Sequence, residues 1–164
     1  MIELNPGFIQ TSQINQDNPM TDIKVSSCNW IDCQTAVSEI RMQVFVMEQL
    51  VPLDLEFDGL DQTACHFLAK DSRGQPVGTA RLLNNGHIGR MAVLRPYRKN
   101  GVGSAIMRSI VAHTKQAGLL SLHLNAQITA EPFYQHLGFS RYGEEFMDAG
   151  IPHIAMAIKL LPKN

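Results

Sequence analysis

Met91-Ala-Val-Leu-Arg-Pro-Tyr-Arg-Lys-Asn-Gly-Val-Gly-Ser104 is the most informative stretch of the chain. It begins inside a strand-like segment from His87 to Leu94 and breaks at Arg95-Pro96. It then closes on two glycines, before Val102, Ile106 and Ile110 recur at helical spacing. The reading is a strand, a glycine-rich turn and a helix running to about Ala117. Glycines at such a turn let main-chain N–H groups approach a phosphate with no Cβ in the way. The helix N-terminus adds about half a positive charge at the same place. A loop of this kind can hold a diphosphate largely through its main chain. A nucleoside-triphosphate loop would follow its last glycine with Lys-Ser/Thr, and here Ser104-Ala105 follows Gly103. A dinucleotide fingerprint needs a third glycine where Ile106 stands, and its strand would not be fed by a tight hairpin. On the glycines alone, a purely structural loop is the remaining alternative.

Working outward, Asn84-Asn-Gly86 predicts the hairpin turn feeding that strand, because Asn and Gly accept positive φ. Val77–Leu83 and Ala64–Lys70 read as two preceding strands, the latter alternating Cys65, Phe67 and Ala69 against His66, Leu68 and Lys70. Ile23–Trp30 suggests another strand. Asp32 can cap a helix whose apolar positions Val37, Ile40 and Val44 share one side, and Pro52 ends that region. On the C-terminal side Lys115 complements the helix dipole and Gly118 stops the helix. Leu120–Ala126 has the low polarity of a covered parallel strand. Thr129 can cap a short helix ending at Gly138, and Phe139–Phe146 with His153–Leu160 read as an antiparallel pair. The order β-α-β-β-β-α-β-α-β-β predicts a mixed sheet with helices on its faces.

Residues 1–22, rich in Asn, Gln, Ser and Pro, read as an N-terminal arm, with Met20 as a second candidate start; 23–164 read as one domain. The length of 164 residues suits one core, and 45% apolar with 18% charged residues is ordinary for a globular chain. Lys plus Arg is 14 against 15 Asp plus Glu, a net charge of −1, so the basic excess of a nucleic-acid or anionic-membrane binder is missing. No apolar run approaches a membrane span and no basic flank precedes an apolar stretch, so the expected location is cytoplasmic. The three cysteines, Cys28, Cys33 and Cys65, are an odd number without metal-knuckle spacing and read as reduced packing residues. His66 is adjacent to Cys65 but points to the opposite strand face, so the pair is not a nucleophile and its base.

The arrangement resembles the GNAT superfamily of N-acetyltransferases over roughly Ile23 to Leu161. The quoted stretch matches its strand followed by Arg/Gln-x-x-Gly-x-Gly/Ala. Phe133-Tyr-Gln-His-Leu-Gly-Phe139 matches its later Phe-Tyr-x-x-x-Gly-Phe motif. Val44-Phe-Val-Met-Glu-Gln49, Asn125-Ala-Gln127 and Gly150-Ile-Pro-His153 look like the ElaA-type branch.

The resemblance implies a mixed, mostly antiparallel sheet of six to seven strands, splayed between the fourth and fifth and flanked by helices. It implies acetyl-CoA as co-substrate, with its pantetheine arm paired to exposed main chain at Met91 and Val93. Ala92 lies between them. Arg98, Asn100, Gly101, Val102, Gly103 and Ser104 would surround the diphosphate, with Lys99 placed for a ribose phosphate. Asn125 and Gln127 would hydrogen-bond the pantetheine, although Asn is the commoner family residue at the Gln127 position. Tyr134 aligns with the family's proposed general acid and would also border the cofactor. Its chemistry is sound, since a departing thiolate whose parent thiol has a pKa of about 8.5 can take a proton from a nearby phenol. An aromatic packed between helix and sheet is the bland alternative.

The attacking amine must first lose a proton, which for an alkylamine near pH 7.4 costs about 4 kcal/mol. Glu48, Asp54, Glu56, Asp58 and Asp61 form a segment without Lys or Arg, where this superfamily builds its acceptor wall. Most are expected to be solvated, with Glu48 preferred as a base because it lies in a branch-like motif. Of six histidines, His66 and His153 are candidates for a proton relay; His113, His123 and His136 read as surface or packing residues, and His87 opens a strand. No His/acid pair has metal-ligand spacing, so no metal is expected. The expected reaction is transfer to a primary amine of a small cationic molecule by direct attack, without a covalent enzyme intermediate. A noncatalytic acyl-CoA sensor and a protein lysine acetyltransferase are the alternatives. Neither nucleic acid nor membrane is an expected partner, and the resemblance leaves monomer and homodimer both open.

Overall fold

The computed structural model describes residues 22–161. The expected arm, apart from Asp22, lies outside them. The elements follow the expected order with one short helix added, α2: β1 (Lys24–Cys28), α1 (Trp30–Arg41), α2 (Leu53–Glu56), β2 (Cys65–Lys70), β3 (Pro76–Leu82), β4 (His87–Val93), α3 (Val102–Gln116), β5 (Ser121–Gln127), α4 (Glu131–His136), β6 (Ser140–Asp148) and β7 (Ile151–Lys159). They form one seven-stranded sheet in the order β1-β2-β3-β4-β5-β7-β6, antiparallel except for β4 and β5. This is the fold expected from the sequence. No helix among the described residues is long and apolar enough to cross a membrane.

Strand alternation distributes the core over both sheet faces. Phe67 and Ala69 of β2 turn toward α3, joining Val77, Ile106, Ile110, Leu122 and Met156. Leu68, one residue out of phase, turns to the α1 side with Val37, Ile40, Val44 and Ala92. The sheet is therefore covered by a helix on each face, as its hydrophobic pattern requires.

Local details correct three expectations. Helix α1 begins at Trp30, so β1 ends at Cys28, and the cap is Asn29, whose side chain accepts the Asp32 amide at 3.1 Å. Asp32 sits in the first turn, where its charge suits the dipole. Thr129 does not cap α4 either: it lies in a 3-10 turn, Ile128–Ala130, leading into that helix from Ala130. The third correction is at the last hairpin. Ala149 (φ 49°) and Gly150 (φ 76°) make a two-residue turn, extending β6 to Asp148 and starting β7 at Ile151. Two successive positive φ values match the right-handed twist of the flanking strands.

Beyond Arg41, α1 widens to π winding over Met42–Glu48, with the Gln49 amide reaching the Val44 carbonyl at 3.2 Å. An i→i+5 ladder brings Val44 and Gln49 onto one line, and both reach the central cavity beside Phe45.

Candidate active site

Strands β4 and β5 pair in parallel at only two positions, His87↔His123 and Ile88↔Leu124, and then part. The parting starts at a bulge in β4. Arg90 has φ 52°, and the β3–β4 register shifts between Thr79 and Arg81. An extra residue on one strand bends it away from its neighbour. The resulting cleft belongs to a cavity of about 920 Å³, walled by Gly89–Val93 on one side and Asn125 and Gln127 on the other. The Leu94 amide bonds the Val77 carbonyl on the β3 side. By alternation Ala92 also faces β3, where it pairs with Thr79, and Met91 and Val93 turn their main chain to the open side.

The cleft runs into the N-terminus of α3. Gly101 occupies the cap position with φ 81° and offers no side-chain cap, and the helical ladder begins at Ala105, whose amide bonds the Gly101 carbonyl at 3.0 Å. The first-turn N–H groups of Val102, Gly103 and Ser104 therefore have no partner within the helix, and all three residues line the cavity. A Cβ on Gly103 would sit 3.2 Å from Phe133 Cζ, so glycine lets α3 pack closely against α4. Lys99 also lines the cavity. Uncapped donors, a helix dipole and a lysine form an anion cradle at one end of an open strand edge.

Tyr134 lines the same cavity, edge-on to Phe133 and Phe139 with ring centroids 4.9 and 6.0 Å away. Burial alone pushes its phenol up to about 12, so it stays protonated at neutral pH and can donate. His153, on β7, also lines the cavity and stacks on Phe146. Its Nδ1 lies 2.7 Å from the Ile151 carbonyl oxygen. A carbonyl only accepts, so Nδ1 carries the proton and the Nε2 lone pair of the neutral ring is left for another partner.

Residues 33–160 match the acetyltransferase (GNAT) domain family. The chain belongs to the GNAT acetyltransferases. The uncharacterized N-acetyltransferase YjcF of Bacillus subtilis is 39% identical over 121 residues, covering 71% of this chain and 86% of YjcF. Among solved structures, Escherichia coli ElaA superposes with a TM-score of 0.74 at 29% identity, over 83% of this chain and 99% of ElaA. An acyl-CoA N-acyltransferase of Pseudomonas aeruginosa also gives a TM-score of 0.74, at 28% identity, over 83% of this chain and 99% of its own.

Within this GNAT fold, several expected site residues stand elsewhere than anticipated. Glu48 does not line the cavity. It pairs with Arg98 at 3.0 Å and Arg95 at 3.5 Å, and the Arg98 hydrogen bond above all holds its carboxyl below the usual range. A carboxylate tied to two guanidiniums is a poor base. His66, on β2, is fully buried against Trp30, with Nε2 2.9 Å from the Asp61 carbonyl; desolvation lowers its pKa and keeps it neutral. Asn100 braces the loop from outside by donating to the Arg98 carbonyl at 2.9 Å. Gln127 lines the cavity, but its amide donates to Gln49 Oε1 at 2.9 Å, joining β5 to the end of the π turn. The three cysteines are free thiols, with Cys33 pushed up to about 12 by burial, in keeping with packing roles.

The acidic segment changes meaning most. Glu56, Asp58 and Asp61 meet three guanidiniums drawn from α1, β3 and β4. Arg41 contacts Glu56 at 2.6 Å and Asp61 at 2.7 Å. Arg81 contacts Asp58 at 2.8 Å and Asp61 at 3.0 Å, and Arg90 contacts Asp58 at 3.1 Å and Glu56 at 3.3 Å. The segment is neutralised rather than presented to a cation, and it anchors the side chain of the bulged Arg90. Gly89, Arg90 and Asp148 line the cavity without having been singled out from sequence. The bulge in β4 brings in the first two and the last hairpin the third, and neither position has a local sequence mark strong enough to read.

Proposed function

We propose that this chain transfers the acetyl group of acetyl-CoA to a primary amine of a small cationic molecule in the cytoplasm, by direct attack and without a covalent enzyme intermediate. One observation carries the reading: β4 leaves β5 after Ile88 and leads its open edge directly to the uncapped start of α3. An extended amide-bearing arm ending in a diphosphate fits that sequence of donors.

The amides of Val102, Gly103 and Ser104 with Lys99 hold the diphosphate end. Met91, the Val93 amide and Asn125 hold the arm. Acetyl-CoA supplies an activated thioester carbonyl. The Met91 amide, on the open side beside the bulge, is placed to polarise that carbonyl oxygen. His153 Nε2 accepts a proton from the ammonium so that the amine can attack. Tyr134 donates to the departing sulfur, a role suited to a phenol that burial keeps protonated. As the C–S bond breaks, the attacked nitrogen gives its second proton to water, His153 passes its proton to water and Tyr134 regains one from it.

The test is thiol release from acetyl-CoA across an amine panel, beside calorimetry with coenzyme A. Amine-dependent release supports the proposal. Tight binding without release from any amine would replace it with a noncatalytic acyl-CoA sensor, and absence of binding would reject the cleft as a cofactor site.

A further inference from the structure

Among the described residues two carboxylates line the cavity, Glu56 and Asp148. Glu56 is buried and saturated by Arg41 and Arg90. Asp148 is exposed at the cavity wall and forms no ion pair among the described residues. It ends β6 at the two-residue turn through Ala149 and Gly150. In the hairpin register Asp148 opposes Ile151 and Phe146 opposes His153, with no shift between those pairs. Side chains two residues apart share a sheet face, so Asp148, Phe146, Ile151 and His153 project together. Two strand steps separate the Asp148 pair from the His153 pair by about 7 Å. The cavity wall around them includes the apolar residues Phe45, Val51, Leu55 and Ile151.

We infer that Asp148 is a specificity-determining residue that receives a second, non-reacting cationic group of the acceptor, while His153 serves the reacting amine. The acceptor class is then an alkyl diamine or longer polyamine: two nitrogens joined by methylenes, with the spacer against the apolar wall. This inference rests on the proposed transferase reading. The cation expected to lie against the acids of residues 48–61 is assigned instead to the last hairpin, because arginines pair with Glu48, Glu56, Asp58 and Asp61.

The experiment compares kcat/KM for 1,4-diaminobutane and n-butylamine, with acetyl-CoA saturating, in the native chain and in Asp148→Asn and Asp148→Lys. The native chain is expected to prefer the diamine, and Asp148→Asn to reduce the diamine-to-monoamine ratio by about three- to tenfold, the range of a partly exposed charge contact. Asp148→Lys should turn the preference toward 4-aminobutyrate. Thiol release with no diamine preference, or with a ratio that both variants leave unchanged, overturns the inference while leaving the transferase reading intact. No release with any amine, despite coenzyme A binding, overturns both. Circular dichroism of the variants separates these outcomes from misfolding, and substitution at an exposed turn residue is expected to preserve the fold.

Discussion

The Nε of Arg98 donates to the main-chain carbonyl of Val93 at 2.8 Å, folding the glycine loop back onto the end of β4. That carbonyl lies on the side β5 has vacated, so the guanidinium replaces a missing strand partner. Its remaining nitrogens pair with Glu48 across the loop. Arg98 therefore shapes the cradle by joining three segments, and its charge is already partly balanced.

Replacing Arg98 with Ala should weaken coenzyme A binding by about tenfold or more, the loss of a charge-assisted hydrogen bond with its Val93 acceptor left open. Calorimetric Kd for coenzyme A checks this. A turnover defect at saturating acetyl-CoA much larger than the binding defect would count against a cradle-shaping role.

Tyr134→Phe keeps the ring that packs on Phe133 and Phe139 and removes only the donor. Turnover should fall by about tenfold to a thousandfold with coenzyme A affinity nearly unchanged. Steady-state kinetics and calorimetry on the same preparation decide it, and native turnover would remove Tyr134 from the mechanism.

His153→Gln, which can still donate near the Ile151 carbonyl, should lower kcat/KM by about a hundredfold while leaving coenzyme A affinity nearly unchanged. Steady-state kinetics beside calorimetry check this, and a native kcat/KM would remove His153 from the mechanism.

Asp61 supports the fold through Arg41 and Arg81. Asp61→Asn removes a buried charge between two guanidiniums and should cost about 3–5 kcal/mol. The single tryptophan, Trp30, packs on His66 5.1 Å away and reports unfolding by fluorescence. The sign with pH also follows. Although burial opposes it, the Arg41 and Arg81 contacts lower the folded pKa of Asp61 below its ordinary value. Its stabilisation is therefore present above the unfolded carboxylate value of about 3.9 and is lost as pH falls through the lower folded value. Desolvation raises Glu56 instead, so Glu56 works in the opposite direction, favouring the fold below the unfolded value and losing that benefit as pH rises through its folded one. Acid titration of stability should be shallower in Asp61→Asn than in the native chain; an equal slope would place the acid sensitivity elsewhere.

Much of this protein could be read locally. The order of strands and helices, the Asn84-Asn-Gly86 hairpin, the glycine turn before α3 and the aromatic motif containing Tyr134 are all contiguous. Each follows from residue type and short-range spacing. The two-residue turn at Ala149-Gly150 escaped because alanine gives no notice of the positive φ it adopts there. Similarly, Asp32 was read as the cap of α1, and the structure gives that place to Asn29 because the helix starts at Trp30.

Charge partnership was beyond local reading. Glu48, Asp58 and Asp61 are acids in a segment free of basic residues, yet their partners Arg98, Arg81 and Arg41 come from other elements. Whether a carboxylate attracts a substrate or holds the fold depends on what reaches it through space, over a few ångströms at low dielectric. The chain by itself determined a covered mixed sheet with a glycine turn opening α3, because hydrophobic period and glycine conformation are properties of neighbouring residues. Tertiary structure alone decided that the bulge at Arg90 opens the seam, that the acidic segment is neutralised, and that Asp148 shares a face with His153.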